Sequence, residues 1–181
     1  MLKPLPSSFF ARDTVQVAKE LLGKIISVNG MKARIVETEA YGRDKASHAF
    51  KKTERSKIMY DTYGHVYVYL IYGMHYCLNF TTDKNEAGAV LIRAVEPLEG
   101  IGSMKKNRKT NEINNLCNGP GKLCLALGID KKHNGLKLGK EITLFDDYFK
   151  VKKIQSSSRI GINDDQHLQW RFYIKDNEFV S

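Results

Sequence analysis

Cysteine is scarce and odd in number: Cys77, Cys117 and Cys124 are the only three in 181 residues, and no two form a C-x-x-C pair. That excludes a disulfide framework and a zinc ribbon, and it favours a reducing compartment. No stretch approaches the roughly 18 consecutive apolar residues that a membrane-spanning helix requires. Met1 to Phe10 breaks up its apolar residues with Pro4, Pro6 and two serines, so it offers no hydrophobic region of a signal peptide. No internal repeat and no Gly/Ser-rich linker divides the chain. The expectation is therefore one domain over residues 1–181, intracellular and not secreted. Acidic residues are also in deficit, with 20 Asp and Glu against 29 Lys and Arg and a formal net charge of +9.

What is present suffices for a folded core. At this length a compact chain buries roughly 70% of the surface it exposes when unfolded, and 42% hydrophobic residues supply the apolar side chains. The positive charge favours a polyanionic partner, because each cation placed near a phosphate releases condensed counterions. Charge alone does not separate a nucleic-acid enzyme from a protein that binds nucleic acid non-specifically.

Asp13 followed by Gln16 resembles a capping box, and Val17, Ala18, Leu21 and Leu22 then share one helical face before Gly23. Strands are predicted over Ile25 to Val28 and Ala33 to Tyr41, the second with Glu37, Glu39 and Tyr41 on one face. His65 to Thr81 is the most β-prone segment, interrupted by Tyr72-Gly73-Met74 as by a hairpin turn. A strand over Ala89 to Val95 carries Arg93 among apolar neighbours, and a helix is predicted from Pro97 to Lys106. Lys105 to Asn115 reads as a surface loop, either a plain connector or a phosphate contact. Gly119-Pro120-Gly121 opens a helix that packs Leu123, Ala126 and Leu127, with Cys117 and Cys124 as packing atoms. Late strands are predicted at Glu141 to Phe145, Arg159 to Ile162 and Trp170 to Ile174. Strands and helices mix without βαβ regularity, which predicts an α+β fold around an antiparallel sheet.

The middle of the chain thus places acids on a strand, a tyrosine-rich hairpin, and an arginine inside another apolar strand. Each has a plain structural alternative. Glu39 can face solvent, Arg93 can pair with any acid at a sheet edge, and Tyr67, Tyr69, Tyr72 and Tyr76 fit ordinary strand positions. Taken together with the charge, they suit a different task. A base site needs flat aromatic faces and its backbone partner needs cations. Hydrolysis of a bond to a base also needs a carboxylate that holds water and stabilises a cation-like sugar, roles that Glu39 can fill. His65, His133 and His167 show no metal-ligand spacing and read as surface or loop residues.

The strings Arg34-Ile35-Val36-Glu37-Thr38-Glu39-Ala40-Tyr41, Val66-Tyr67-Val68-Tyr69-Leu70-Ile71-Tyr72-Gly73-Met74 and Leu91-Ile92-Arg93-Ala94-Val95-Glu96-Pro97-Leu98-Glu99-Gly100 resemble the alkyladenine (3-methyladenine, methylpurine) DNA glycosylase family. Asn118-Gly119-Pro120-Gly121-Lys122-Leu123, Arg159-Ile160-Gly161-Ile162 and Arg171-Phe172-Tyr173-Ile174 match it in the same order, so the resemblance spans nearly the whole chain. It implies a single α+β domain around a curved antiparallel sheet with surrounding helices and a protruding, DNA-inserting hairpin. That fold is shared with a C-terminal domain of some formyltransferases.

The implied activity is a monofunctional glycosylase that flips alkylated or deaminated purines from duplex DNA and hydrolyses the N-glycosidic bond. It would leave an abasic site for downstream processing enzymes. No metal or organic cofactor is implied, and a monomer is expected. Glu39 would be the general base, with Arg93 helping to hold the water. Tyr41 and Tyr69 would sandwich the base, with His48 on the wall and Asn79 screening out normal guanine. Tyr72, with Met74 beside it, would enter the minor groove.

Lys122, at the Gly-Pro-Gly helix start, is a candidate for the DNA backbone. The chain departs from the family pattern at His75, where an aromatic is expected, in a short link from Tyr41 to His48, and in Tyr63-Gly64 before the hairpin. The alternative reading is a non-catalytic nucleic-acid-binding module of the same fold. Such a module has no use for Glu39, because an anion facing DNA weakens binding.

Overall fold

The computed structural model describes residues 2–181. Nine strands form one antiparallel sheet: β1 (Lys3–Pro4), β2 (Ile25–Val28), β3 (Met31–Tyr41), β4 (Val66–Ile71), β5 (His75–Thr82), β6 (Gly88–Glu99), β7 (Thr143–Asp146), β8 (Ile154–Ser157) and β9 (Arg171–Ile174). The main order is β1-β7-β2-β3-β6-β5-β4, with β9 paired to both β3 and β8. Among the described residues four α-helices accompany it: α1 (Thr14–Leu21), α2 (Lys57–Asp61), α3 (Ile101–Arg108) and α4 (Pro120–Leu127). The fold is α+β around a curled antiparallel sheet, as the mixed pattern predicts. No helix among the described residues is long and apolar enough to cross a membrane.

β3 organises the sheet because one of its edges serves two strands and the other is paired along nearly its whole length. Its first half pairs with β2 and its second half with β9, while β6 follows it along the other edge. The β3–β6 register breaks between Ile35 and Glu37 and again between Glu37 and Thr38, so Val36 and Arg93 fall into irregular positions. Such bulges bend a strand and re-aim side chains. Here they bring Arg93 of β6 against the acidic face of β3.

Local signals explain the helices and some departures from expectation. Asp13 caps α1, its carboxylate accepting the Gln16 N–H at 2.8 Å. The reciprocal half of a capping box is not made, because the Gln16 side chain bonds Glu20 instead. Val17, Ala18 and Leu21 are buried, and the Thr38 hydroxyl donates to the Ala18 carbonyl at 2.8 Å, fixing α1 to β3.

β6 runs on through Pro97 to Glu99, where a helix start is predicted from the proline. Its ladder with β5 stops at Leu91, so a residue without an N–H costs no bond on that side. α3 then begins after Gly100, and Lys105 to Arg108 belong to it rather than to a loop. Arg159 to Ile162 is not a strand but a turn around Gly161, whose φ is +75°. β8 and α2 carry too few alternating residues to stand out in the sequence. His133 is buried, not a surface residue, with its ring nitrogen accepting the Asp130 N–H at 3.1 Å.

The sheet ends at β4, and the chain covers that edge. Gly135 N–H donates to Val66 O at 2.8 Å, Leu136 O accepts the Val66 N–H at 2.8 Å, and the Asn134 carboxamide accepts the Val68 N–H at 2.9 Å. This cover stops short of the hairpin tip.

At the other end of the hairpin, Gly88 lies under the bonded hydroxyls of Thr14 and Thr82, 2.9 Å apart. A Cβ there would run into Thr14 Oγ1 and come within 2.9 Å of Thr82 Oγ1. Gly88→Ala is expected to cost about 2 kcal/mol by overpacking, or roughly 4–8 °C in Tm for a chain of this size. Thermal unfolding followed by circular dichroism checks this, and an unchanged Tm would show that Thr14 swings aside freely.

Candidate active site

Strand alternation places Glu37, Glu39 and Tyr41 on one face of β3, and both carboxylates are fully buried, at 0% exposure. Glu39 uses both oxygens. Oε1 accepts the Ile160 N–H at 2.7 Å and lies 3.4 Å from Arg93 Nη1, and Oε2 accepts the Tyr41 hydroxyl at 2.7 Å. Glu37 accepts from Arg93 Nε at 3.2 Å, Arg171 Nε at 2.6 Å, and the Ser181 N–H and hydroxyl at 2.7 and 2.9 Å. Two carboxylates and two guanidiniums therefore form one ion-paired cluster, hydrogen-bonded around Glu37 and joined to Glu39 through Arg93.

Burial pushes the Glu39 carboxyl above its ordinary range. Arg93, the Ile160 N–H and the Tyr41 hydroxyl oppose the rise, and the charge of Glu37 adds to it. The Tyr41 phenol is driven far up, first by burial and then by Glu39, so it stays a donor. A carboxylate with raised proton affinity is a stronger base than a free one, which suits it to take a proton from water.

Over this cluster opens a cavity of about 400 Å³. Tyr41, His48, Tyr69, Asn79 and Arg93 line it, together with Tyr72 at its outer edge. Glu39 does not line it; it lies beneath Tyr41 and Arg93, its two partners on the floor. The rings make an aromatic corner, with His48 edge-on to Tyr69 at 4.7 Å and Tyr67 tilted against Tyr69 at 5.4 Å. The Tyr67 hydroxyl and His48 Nδ1 are 2.8 Å apart. Burial and then Arg55 lower the His48 pKa, so the imidazole is neutral near pH 7. Burial raises the Tyr67 phenol to about 12. The Asn79 carboxamide is buried and donates to the Tyr67 carbonyl at 3.2 Å, which orients it.

The hairpin tip stands clear of the body. Tyr72 and Gly73 both have positive φ, +52° and +69°, and the Met74 N–H closes the turn on Ile71 O at 3.2 Å. A left-handed backbone costs a bulky residue on the order of 1–2 kcal/mol, yet the Tyr72 ring is 81% exposed and Met74 69%. An exposed aromatic held in a strained turn marks a surface built for contact.

His75 turns away from the cavity, packing on Gly121, where a Cβ would meet its own Cβ at 3.0 Å. It lines a second, smaller hollow of about 260 Å³ with Met74, Tyr76 and Leu125. Lys122 lies in the first turn of α4, its ammonium donating to the side-chain oxygens of Asn115 at 2.6 Å and Asn118 at 2.9 Å. Both partners are neutral, so its charge is uncompensated by them.

Several residues at the site have no role assigned to them from the sequence. Tyr67 shares a face with Tyr69 by alternation, and that signal was available. Cys77 pairs with Tyr69 across the hairpin and lines the cavity, and Arg55 reaches its mouth 6.0 Å from the Tyr69 ring centre. Arg159 carries no alternation signal, although its string Arg159-Ile160-Gly161-Ile162 takes part in the family resemblance. Its buried guanidinium lies 4.7 Å from the Tyr41 ring and 5.3 Å from Trp170, bonding Ala40 O at 3.1 Å and Asp44 Oδ1 at 2.7 Å. It anchors the turn that presents the Ile160 N–H to Glu39.

Comparison with known proteins bears on this geometry. Residues 8–178 match the family model described as methylpurine-DNA glycosylase. The curated relatives carry the words 3-methyladenine DNA glycosylase in their names, and three of them show the extent of the likeness. One from Clostridium novyi is 48% identical over 199 residues, covering 99% of each chain. Those from Clostridium perfringens (strain 13 / Type A) and Bdellovibrio bacteriovorus are 50% and 46% identical, each covering 98% of both chains. With a family match across nearly the whole sequence and near-complete relatives at this identity, the chain belongs to the methylpurine-DNA glycosylase family, hydrolases of N-glycosyl bonds.

Proposed function

We propose that the chain is a single-domain, monomeric base-excision repair glycosylase acting on alkylated or deaminated purines in double-stranded DNA, among them 3-methyladenine, 7-methylguanine, hypoxanthine and ethenoadenine. The observation that carries this reading is the Glu39 carboxylate, buried between Arg93 and Tyr41 directly beneath an aromatic cavity. A DNA-binding module has no use for an anion there.

In this reading Tyr72 enters the minor groove and occupies the space of the extruded nucleotide, offsetting part of the few kcal/mol that extrusion costs. Met74 supports it at the tip. The damaged base stacks between Tyr41 and Tyr69, against the His48 wall, with Asn79 rejecting the exocyclic amine of guanine. Tyr41 yields its bond to Glu39 as water enters, and Arg93 holds that water against the carboxylate. Glu39 takes a proton as the water attacks the sugar carbon, and the purine leaves with the bonding pair. The abasic product passes to downstream processing enzymes. Lys122, whose ammonium meets only neutral amide oxygens, is a phosphate contact near the cavity.

A single-turnover assay on duplexes with hypoxanthine or ethenoadenine, run beside alkylated genomic DNA, tests the reading. Base release is expected from the wild type; DNA binding without release of any base would move the binding-module reading to the front. Glu39→Gln should bind lesion DNA normally while excision falls about 10³-fold, and retained excision removes Glu39 from the base role.

The active form of Glu39 is the ionised one, and its raised pKa means that this form is lost as pH falls through a value above the ordinary carboxylate range. The acid limb of the excision rate for a cationic lesion is therefore expected above that range, and a limb at the ordinary value would contradict a buried base. Tyr72→Ser should weaken lesion-specific binding while sparing non-specific, salt-sensitive binding. Equal loss of both in a titration against intact and lesion duplexes would count against insertion.

A further inference from the structure

Arg93 touches two acids, and its better bond is to the one that cannot meet substrate. Its Nε donates to Glu37 Oε1 at 3.2 Å, whereas its nearest approach to Glu39 is 3.4 Å, through Nη1. Glu37 is at 0% exposure and is absent from the cavity lining. It is itself held from three further directions, by Arg171 Nε at 2.6 Å and by the Ser181 N–H and hydroxyl at 2.7 and 2.9 Å. The register breaks around Glu37 are what let one guanidinium of β6 span two acids of β3.

We infer that Glu37 is a positioning residue for excision: clamped by Arg171 and Ser181, it holds the Arg93 guanidinium at its present distance from Glu39 and supplies a fixed negative charge beside that carboxylate.

Without Glu37, Arg93 has a single acid left in reach. It would close on Glu39 as a bidentate pair, the favoured geometry for guanidinium and carboxylate. That would stabilise the ionised form, weaken Glu39 as a base and draw Nη1 from the cavity floor. The groups facing Glu39 are Glu37 and Tyr41 on its own strand, Arg93 from β6, Tyr69 and Cys77 from β4 and β5, and Arg171 from β9, with Arg159 behind Tyr41. Glu37 is the only other carboxylate among them. Its charge raises the proton affinity of Glu39 while Arg93 lowers it.

This inference rests on Glu39 being the base. It is tested with full-length wild type, Glu37→Gln, Arg171→Gln and Glu39→Gln. Single-turnover excision is measured across pH on alkylated DNA, with affinity for a duplex carrying a tetrahydrofuran abasic analogue. Glu37→Gln is expected to lose on the order of a hundredfold in rate, as a slightly misplaced catalytic group does, with affinity nearly unchanged. Its acid limb moves to lower pH, because a like charge beside Glu39 has gone.

Arg171→Gln moves the limb the opposite way, to higher pH, because Glu37 is then less compensated. It also carries the sign test if Glu37→Gln does not fold. A rate loss with the limb unmoved, or both limbs moving in the same direction, overturns the positioning role. Undiminished activity of Glu39→Gln would instead overturn the assignment of the base, so the two failures are told apart.

Discussion

Two carboxylates at i and i+2 on one strand face must share a side of the sheet, and in this protein that side is dry. An isolated buried carboxylate costs far more than a fold of this size can spare, and a broken buried ion pair costs about 3–5 kcal/mol. The chain answers with cations delivered from two neighbouring strands, Arg93 from β6 and Arg171 from β9, and with N–H groups from the turn after β8 and from Ser181. β3 therefore has to be long enough to pair with β2 and β9 in succession, and the β3–β6 ladder has to bulge where it does. Much of the sheet's irregularity follows from satisfying Glu37 and Glu39.

The same burial sets the chemistry around them. Removing water holds the Tyr41, Tyr67 and Tyr69 side chains as phenols and keeps His48 uncharged, so the arginines are the cations at the cavity wall. It also makes Glu39 costly to the fold. A carboxyl whose proton affinity is higher in the folded chain contributes stability below its unfolded value that is lost as pH rises through the folded one. Near neutral pH the ionised site is thus a burden carried by the rest of the core, in keeping with strain gathering where function does.

Much of this was legible in the amino-acid order. The alternation from Ala33 to Tyr41 placed Glu37, Glu39 and Tyr41 together, and the tyrosine-rich run with its Tyr-Gly-Met break located the hairpin and its tip. Arg93 stood out as a charge among apolar neighbours. What stayed hidden depended on contacts distant in sequence. Pro97 reads as a helix start until β5 is seen to end before it. Arg159 to Ile162 has strand composition, yet the Arg159 guanidinium docks between two aromatic rings and pulls that segment into a turn. His133 carries no local mark of burial, and the bond from Ser181 to Glu37 spans 144 positions. The split loyalty of Arg93 needed a bulge that alternation cannot reveal.

The cover along β4 has a consequence for how the protein survives in a crowded solution. A terminal strand with free N–H and C=O groups is a template for pairing with other chains, and the danger grows when its side chains are apolar. Here the edge is sealed by residues 134–136 as far as Val68, so only the last three residues of β4 keep an open edge, next to the exposed Leu70, Tyr72 and Met74. An open edge of only three residues is the short kind with which proteins blunt the end of a sheet. The molecule can hold a greasy probe out into water without becoming a nucleus for aggregation.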